Sequence, residues 1–195
     1  MMVKKKIYLT IFLLGLILTS SGCSGLLPSV RTVTKSPWQS FEEAKQSFDK
    51  IVPGKTSRQE LKQLGFDPFE VPNINMITYL ELTQKFMPNP SIHLEDLDPG
   101  VQTCLREREA CQGYEVSPKV VQSQRYGNVM LDLFNFRRKK VTTGWHFVAL
   151  IVLKKELVVY KLWGGIPSLS ESEDKTNPFG PFQDMGDRLP AIKLN

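Results

Sequence analysis

The chain has 195 residues, 41% of them hydrophobic and 23% charged, with a formal net charge of +5 at pH 7. Removing residues 1–22 takes three lysines and no acid from 25 basic and 20 acidic residues and leaves only +2, so the basicity is no nucleic-acid footprint. The remainder has an ordinary apolar fraction and suits one globular domain with a modest core, without internal repeats.

Residues 1–22 read in three parts. Lys4, Lys5 and Lys6 form a charged start, Ile7 to Leu18 an apolar run, and Thr19, Ser20, Ser21 and Gly22 the small residues before a cleavage point, the pattern of a signal peptide. The apolar run holds about 12 residues, against the ~20 that span hydrocarbon. Ser20-Ser21-Gly22-Cys23 resembles the lipobox of bacterial lipoproteins, with serine where leucine is commoner. That resemblance implies that Cys23 is acylated and becomes the mature N-terminus. Ser24 in second place fits sorting to the bacterial outer membrane, with the lipid-anchored chain facing the periplasm.

Residues 23–39 then read as a tether, short on periodicity and rich in proline. Ser40 with Glu43 makes a capping pattern, and Phe41, Ala44, Phe48, Ile51 and Val52 recur on one helical face. Pro53-Gly54 marks a tight turn. Thr56 or Ser57 with Gln59 or Glu60 starts a second helix whose apolar residues are Leu61 and Leu64, and Gly65 with Pro68 ends it. The "GKTS" at residues 54–57 is not a phosphate-binding loop: Asp49 stands where that motif needs glycine, and the stretch follows a helix rather than a strand. Neither a nucleotide nor another cofactor is expected.

Residues 74–82, "INMITYLEL", read as a strand. Cys104 and Cys111 in "CLREREAC" form an even pair that an oxidising compartment would join as a disulfide. A zinc site would need two further ligands, and His93 and His146 do not stand at ligand spacing, so no metal is expected. Val129, Leu131 and Leu133 alternate within residues 125–136, read as a strand, and "RRKK" (137–140) reads as a basic turn. Residues 144–153 make a strand apolar on both faces, and 157–163 the next. No catalytic residue is nominated: His146 lies between Trp145 and Phe147 inside a strand, without a nameable nucleophile. The elements predict an α+β fold, two N-terminal helices packed on one face of a three- to four-stranded antiparallel sheet.

Phe48, "IVPGKTSRQELKQLGFDP" (51–68) and hairpins ending in "LWGGIP" resemble the SmpA/OmlA, or BamE-like, family of outer-membrane lipoprotein domains. The positions that carry the resemblance are Ile51, Gly54, Thr56, Leu61, Leu64, Gly65 and Pro68. It implies a non-enzymatic scaffold or assembly component of the envelope, one family member being an accessory lipoprotein of the outer-membrane β-barrel assembly machine. It also divides the chain into a domain at 40–167, an insert at 88–122 that bears the cysteine pair, and a tail at 168–195. The tail is rich in serine, proline and acids and is expected to be flexible, with Phe179 and Phe182 as aromatic anchors for an envelope protein partner beside Trp163. The competing expectation is a periplasm-facing inhibitor or ligand-binding module of the same fold.

Overall fold

The computed structural model describes residues 26–182, arranged as two compact units. The larger comprises residues 31–122 and 143–170; of the smaller, residues 26–30, 123–142 and 171–182 are described. Strand β1 (Ser29–Val33) comes first, followed by helices α1 (Phe41–Asp49) and α2 (Arg58–Gln63). Next come strand β2 (Ile74–Thr78) and helices α3 (Tyr79–Phe86) and α4 (Pro99–Arg106). Strands β3 (Cys111–Val116) and β4 (Lys119–Tyr126) precede helix α5 (Val129–Leu133), and the long strands β5 (Arg137–Lys154) and β6 (Leu157–Thr176) close the described chain.

Local chemistry sets several of these boundaries. The Ser40 side chain accepts from the Glu43 amide at the start of α1. Ser57 and Glu60 form a full capping box on α2, and Gly65, at φ 92°, takes the left-handed position after it, where a Cβ would stand 2.9 Å from the Pro37 ring. Thr78 and Glu81 form a second capping box. That box makes the 74–82 stretch half strand and half helix, because the hydroxyl and carboxylate satisfy amide donors that a continuing strand would leave to a neighbour.

The sheet is larger than expected. It has six antiparallel strands, in the order β1-β4-β5-β3-β2 with β6 paired to β5, against the three or four read from the sequence. The helices number five among the described residues; a strand precedes them, and they are spread along the chain rather than gathered at its N-terminus. In the larger unit they pack on both faces of the sheet. Alternate residues of β5 explain why: Phe147, Ala149, Ile151 and Leu153 pack with Phe41, Phe48 and Leu61 of α1 and α2, while Val152 packs with Leu82, Val101 and Cys104 of α3 and α4. A strand apolar on both faces needs a cover on each.

The 88–122 stretch is not an appendage. It supplies α4, β3 and the start of β4, and β3 lies between β2 and β5, with Ile74 opposite Val116 and Cys111 opposite Lys154. Cys111, Tyr114 and Val116 are buried in it. Gly113 is bare because a Cβ there would come within 2.7 Å of Ile77 and 2.9 Å of Leu82. Cys104 and Cys111 are joined by a disulfide that ties α4 to β3.

In the smaller unit the strand read over 125–136 ends at Tyr126. Gly127 turns at φ 105°, Asn128 accepts from the Leu131 amide, and α5 begins. Apolar residues at 129, 131 and 133 suit two periods equally, and the Asn128 cap decides for the helix. The expected "RRKK" turn is the first part of β5, and residues 168–176 of the expected flexible tail are the end of β6. The two segments hold each other by charge: Arg137 makes two bonds to Asp174, at 2.6 and 2.9 Å, and Lys140 faces Glu173 at 3.6 Å. Residues 1–22, Cys23 and residues 183–195 lie outside the described residues, so the signal peptide, the acylation and the end of the tail have no structural account.

Candidate functional site

Of the three aromatic residues nominated from the sequence, the structure brings two into one unit. Trp163, on β6 in the larger unit, stacks nearly parallel to Phe147 with centroids 6.3 Å apart, and the Lys45 ammonium lies 4.6 Å above its ring. It extends the core to the surface. Phe179 and Phe182 belong to the smaller unit and project outward, 73% and 71% exposed. The turn that carries them is pinned from beneath. The buried Asn177 side chain donates to the Asn135 carbonyl and to its side-chain oxygen, both at 3.0 Å, and the Asn177 amide donates to the Phe136 carbonyl. Gly180 then passes over the Phe136 ring at φ 53°.

The larger unit leaves one stretch of apolar sheet open. Val148 and Leu150 of β5 with Leu162 and Gly164 of β6 line a groove of about 270 Å³ whose polar members are Lys85 and Glu115, an ion pair at 3.0 Å between α3 and β3. Strand β6 borders it and lies at the edge of the sheet. The outer side of β6 is taken at its start, where Gly54 donates to the Val158 carbonyl and Val158 to the Thr56 carbonyl. Beyond that, no strand pairs with the outer side among the described residues. Lys161 reaches from β6 to the Phe48 and Asp49 carbonyls at the end of α1, and burial, ahead of its neighbours' charges, pushes its ammonium below the usual lysine value. The sequence does not show such a groove, because Leu162 belongs to the apolar run 157–163, which reads as core.

One polar pair escaped sequence reasoning altogether. Ser117 Oγ and His146 Nε2 are 2.9 Å apart across β3 and β5, close enough for a nucleophile and its base. Among the described residues, however, no carboxylate bonds the other ring nitrogen. Burial first, and the charge of Lys119 second, hold His146 below the ordinary histidine value and favour neutral imidazole. Ser117 also ties its own backbone to the Asn73 carbonyl, so the pair braces the end of β3.

The smaller unit carries a different kind of surface. Arg125, Arg138, Lys140, Glu173 and Lys175 line a polar cleft of about 250 Å³, and Leu26, Leu27, Pro28, Val129 and Leu133 join Arg125 and Arg138 around a neighbouring one of about 230 Å³. Met130, Leu133 and Phe134 are exposed beside them. Among the described residues no three His, Cys, Asp or Glu side chains converge on a metal position, and no helix is long and apolar enough to cross a membrane. No protein-family model, curated protein or solved structure matches the chain.

Proposed function

We propose that the chain is a non-enzymatic lipoprotein of the bacterial envelope, held at the outer membrane through Cys23, facing the periplasm, and acting as a scaffold or assembly component in the manner of the BamE-like domains it resembles. The observation that supports a binding role is the open apolar groove beside the edge of β6. At about 270 Å³ it falls just short of the usual range of small-molecule pockets, but an extended protein segment can pair with a sheet edge and lay alternate side chains into such a groove. The proposed partner is an envelope protein whose extended segment meets Leu162 and Trp163.

Affinity capture from detergent-solubilised envelope tests the reading. Components of the barrel-assembly machine are expected with the wild type and are expected to be lost with Leu162→Glu, a change at a half-exposed position that leaves the core intact. Capture of a wall-active enzyme instead would favour the inhibitor reading. Cys23→Ser should abolish labelling by a palmitate analogue and membrane retention; labelling that survives it would overturn the anchor.

A further inference from the structure

We infer that the face of the smaller unit bearing Arg125, Arg138, Lys140 and Lys175 rests on the anionic headgroups of the membrane that holds Cys23. The inference depends on the anchor reading above and adds to it which surface lies against the lipid.

Three observations carry it. The first is reach. Leu26 and Pro28 line the same cleft as Arg125, Leu133 and Arg138, and the Pro28 carbonyl accepts from the Arg125 amide, which fixes this point of the chain to the face. Three peptide links, through Ser24 and Gly25, connect Cys23 to Leu26, at most about 10 Å when fully extended. An acylated Cys23 sits at the boundary between headgroup and acyl chain, so this face lies within about one Debye length of lipid charge. The second is charge. Strand alternation places Arg125, Arg138, Lys140, Glu173 and Lys175 together around one cleft. Asp132 takes Arg125 at 3.1 Å and Glu173 takes Lys140 at 3.6 Å, while Arg138 and Lys175 have no acidic partner among the described residues. The third is the apolar rim. Leu26 and Leu133 are 75% and 70% exposed at the edge of the basic cleft, the pairing of cations with shallow apolar side chains that suits a headgroup interface.

The test uses the full lipidated chain in vesicles of phosphatidylethanolamine with phosphatidylglycerol. With Cys104 and Cys111 joined and Cys23 acylated, Leu133→Cys supplies a thiol for a spin label. The label is expected to become accessible to oxygen in the lipid phase and shielded from an aqueous nickel chelate. Lys140→Glu with Lys175→Glu should shift the ratio of docked to undocked chain by ~30-fold or more, since each basic residue near an anionic surface is worth about fivefold. Replacing both lipids by phosphatidylcholine should act in the same direction and needs no further variant. A label that stays water-accessible while the chain remains acylated and vesicle-bound overturns the docking and leaves the anchor standing. A label shielded from both phases in every lipid means that protein covers the face, whether residues 183–195 or a second copy, and also overturns it. An unmodified Cys23 overturns the anchor and the docking together.

Discussion

The two units use the same long strands, β5 and β6, for opposite purposes. In the larger unit the strands are apolar on both faces, and Phe48, Phe66, Phe147 and Ile151 are sealed between sheet and helices. In the smaller unit Leu27 is the single buried large apolar side chain among the described residues, and the interior is made of Asp132, Asn135 and Asn177. Its other leucines and its phenylalanines face outward. Burial of apolar area holds the first together; the second relies on hydrogen bonds and ion pairs, which contribute less and are more directional. An arrangement that spends its hydrophobic residues on the surface is suited to contact with something else.

The sharpest way to break this contrast is to remove a ring from the larger unit. Phe147 touches Phe41, Phe48 and Trp163 and is fully buried. Phe147→Ala is expected to cost about 3–5 kcal/mol in denaturant unfolding, from lost transfer energy and the cavity left behind. A cost below about 1 kcal/mol would mean that this core is not what holds the larger unit.

The interior of the smaller unit should respond less, and for a different reason. Asn177→Ala removes the two bonds to Asn135 and leaves a buried carbonyl without its donor, at an expected cost of about 1–3 kcal/mol. Hydrogen exchange should localise the loosening to residues 134–136 and 177–182. Loosening spread evenly through both units would contradict their separate means of support.

Acid sharpens the contrast further. His146 is held below its ordinary value of 6.5, so the unfolded chain takes up a proton at a higher pH than the folded one. Stability therefore rises with pH through the window just below 6.5, and its full value is reached above it. Replacing His146 by Gln should flatten unfolding free energy between about pH 7 and pH 5, where carboxylates contribute little. An unchanged slope would remove His146 as its source. The effect is smaller than either side-chain deletion because the ring is only partly buried.

What was legible in the sequence follows the same division. Ser40, the capping stretch from Thr56 to Glu60, and Gly65 announced α1 and α2, because caps are local chemistry, and the structure chose Ser57 and Glu60 within that stretch. Strands 144–153 and 157–163 were readable because their apolar runs are long. Strand β3 was not: "CQGYEV" puts two small residues, Cys111 and Gly113, toward α3 and α4, where helix packing rather than hydrophobicity selects them. Helix α5 was misread because an alternating triplet of apolar residues fits a strand and a one-turn helix equally. The charged start of β5 looked like a turn because its acidic partners, Glu173 and Asp174, lie more than thirty residues away. The groove beside β6 depends on where α3 stops, a tertiary fact that no local pattern records.

The smallest expected effect is the one that matters most to function. Phe179 and Phe182 are exposed, their turn is held by backbone bonds and by Asn177, and neither ring is needed by those bonds. Phe179→Ala with Phe182→Ala should therefore leave the unfolding free energy within about 0.5 kcal/mol of wild type, as exposed substitutions generally do. Rings in water at this density are costly to solubility and return nothing to the fold, so their value must be read in binding. Affinity capture of the double variant and the accessibility of a spin label at Leu133→Cys in vesicles give that reading. Loss of a protein partner with the label still in the lipid phase would assign the rings to a protein contact, and a label moved into water would assign them to the lipid face. A fall in stability of several degrees in Tm would instead show the two rings closing the smaller unit's own surface, and the contrast between the units would then be one of degree.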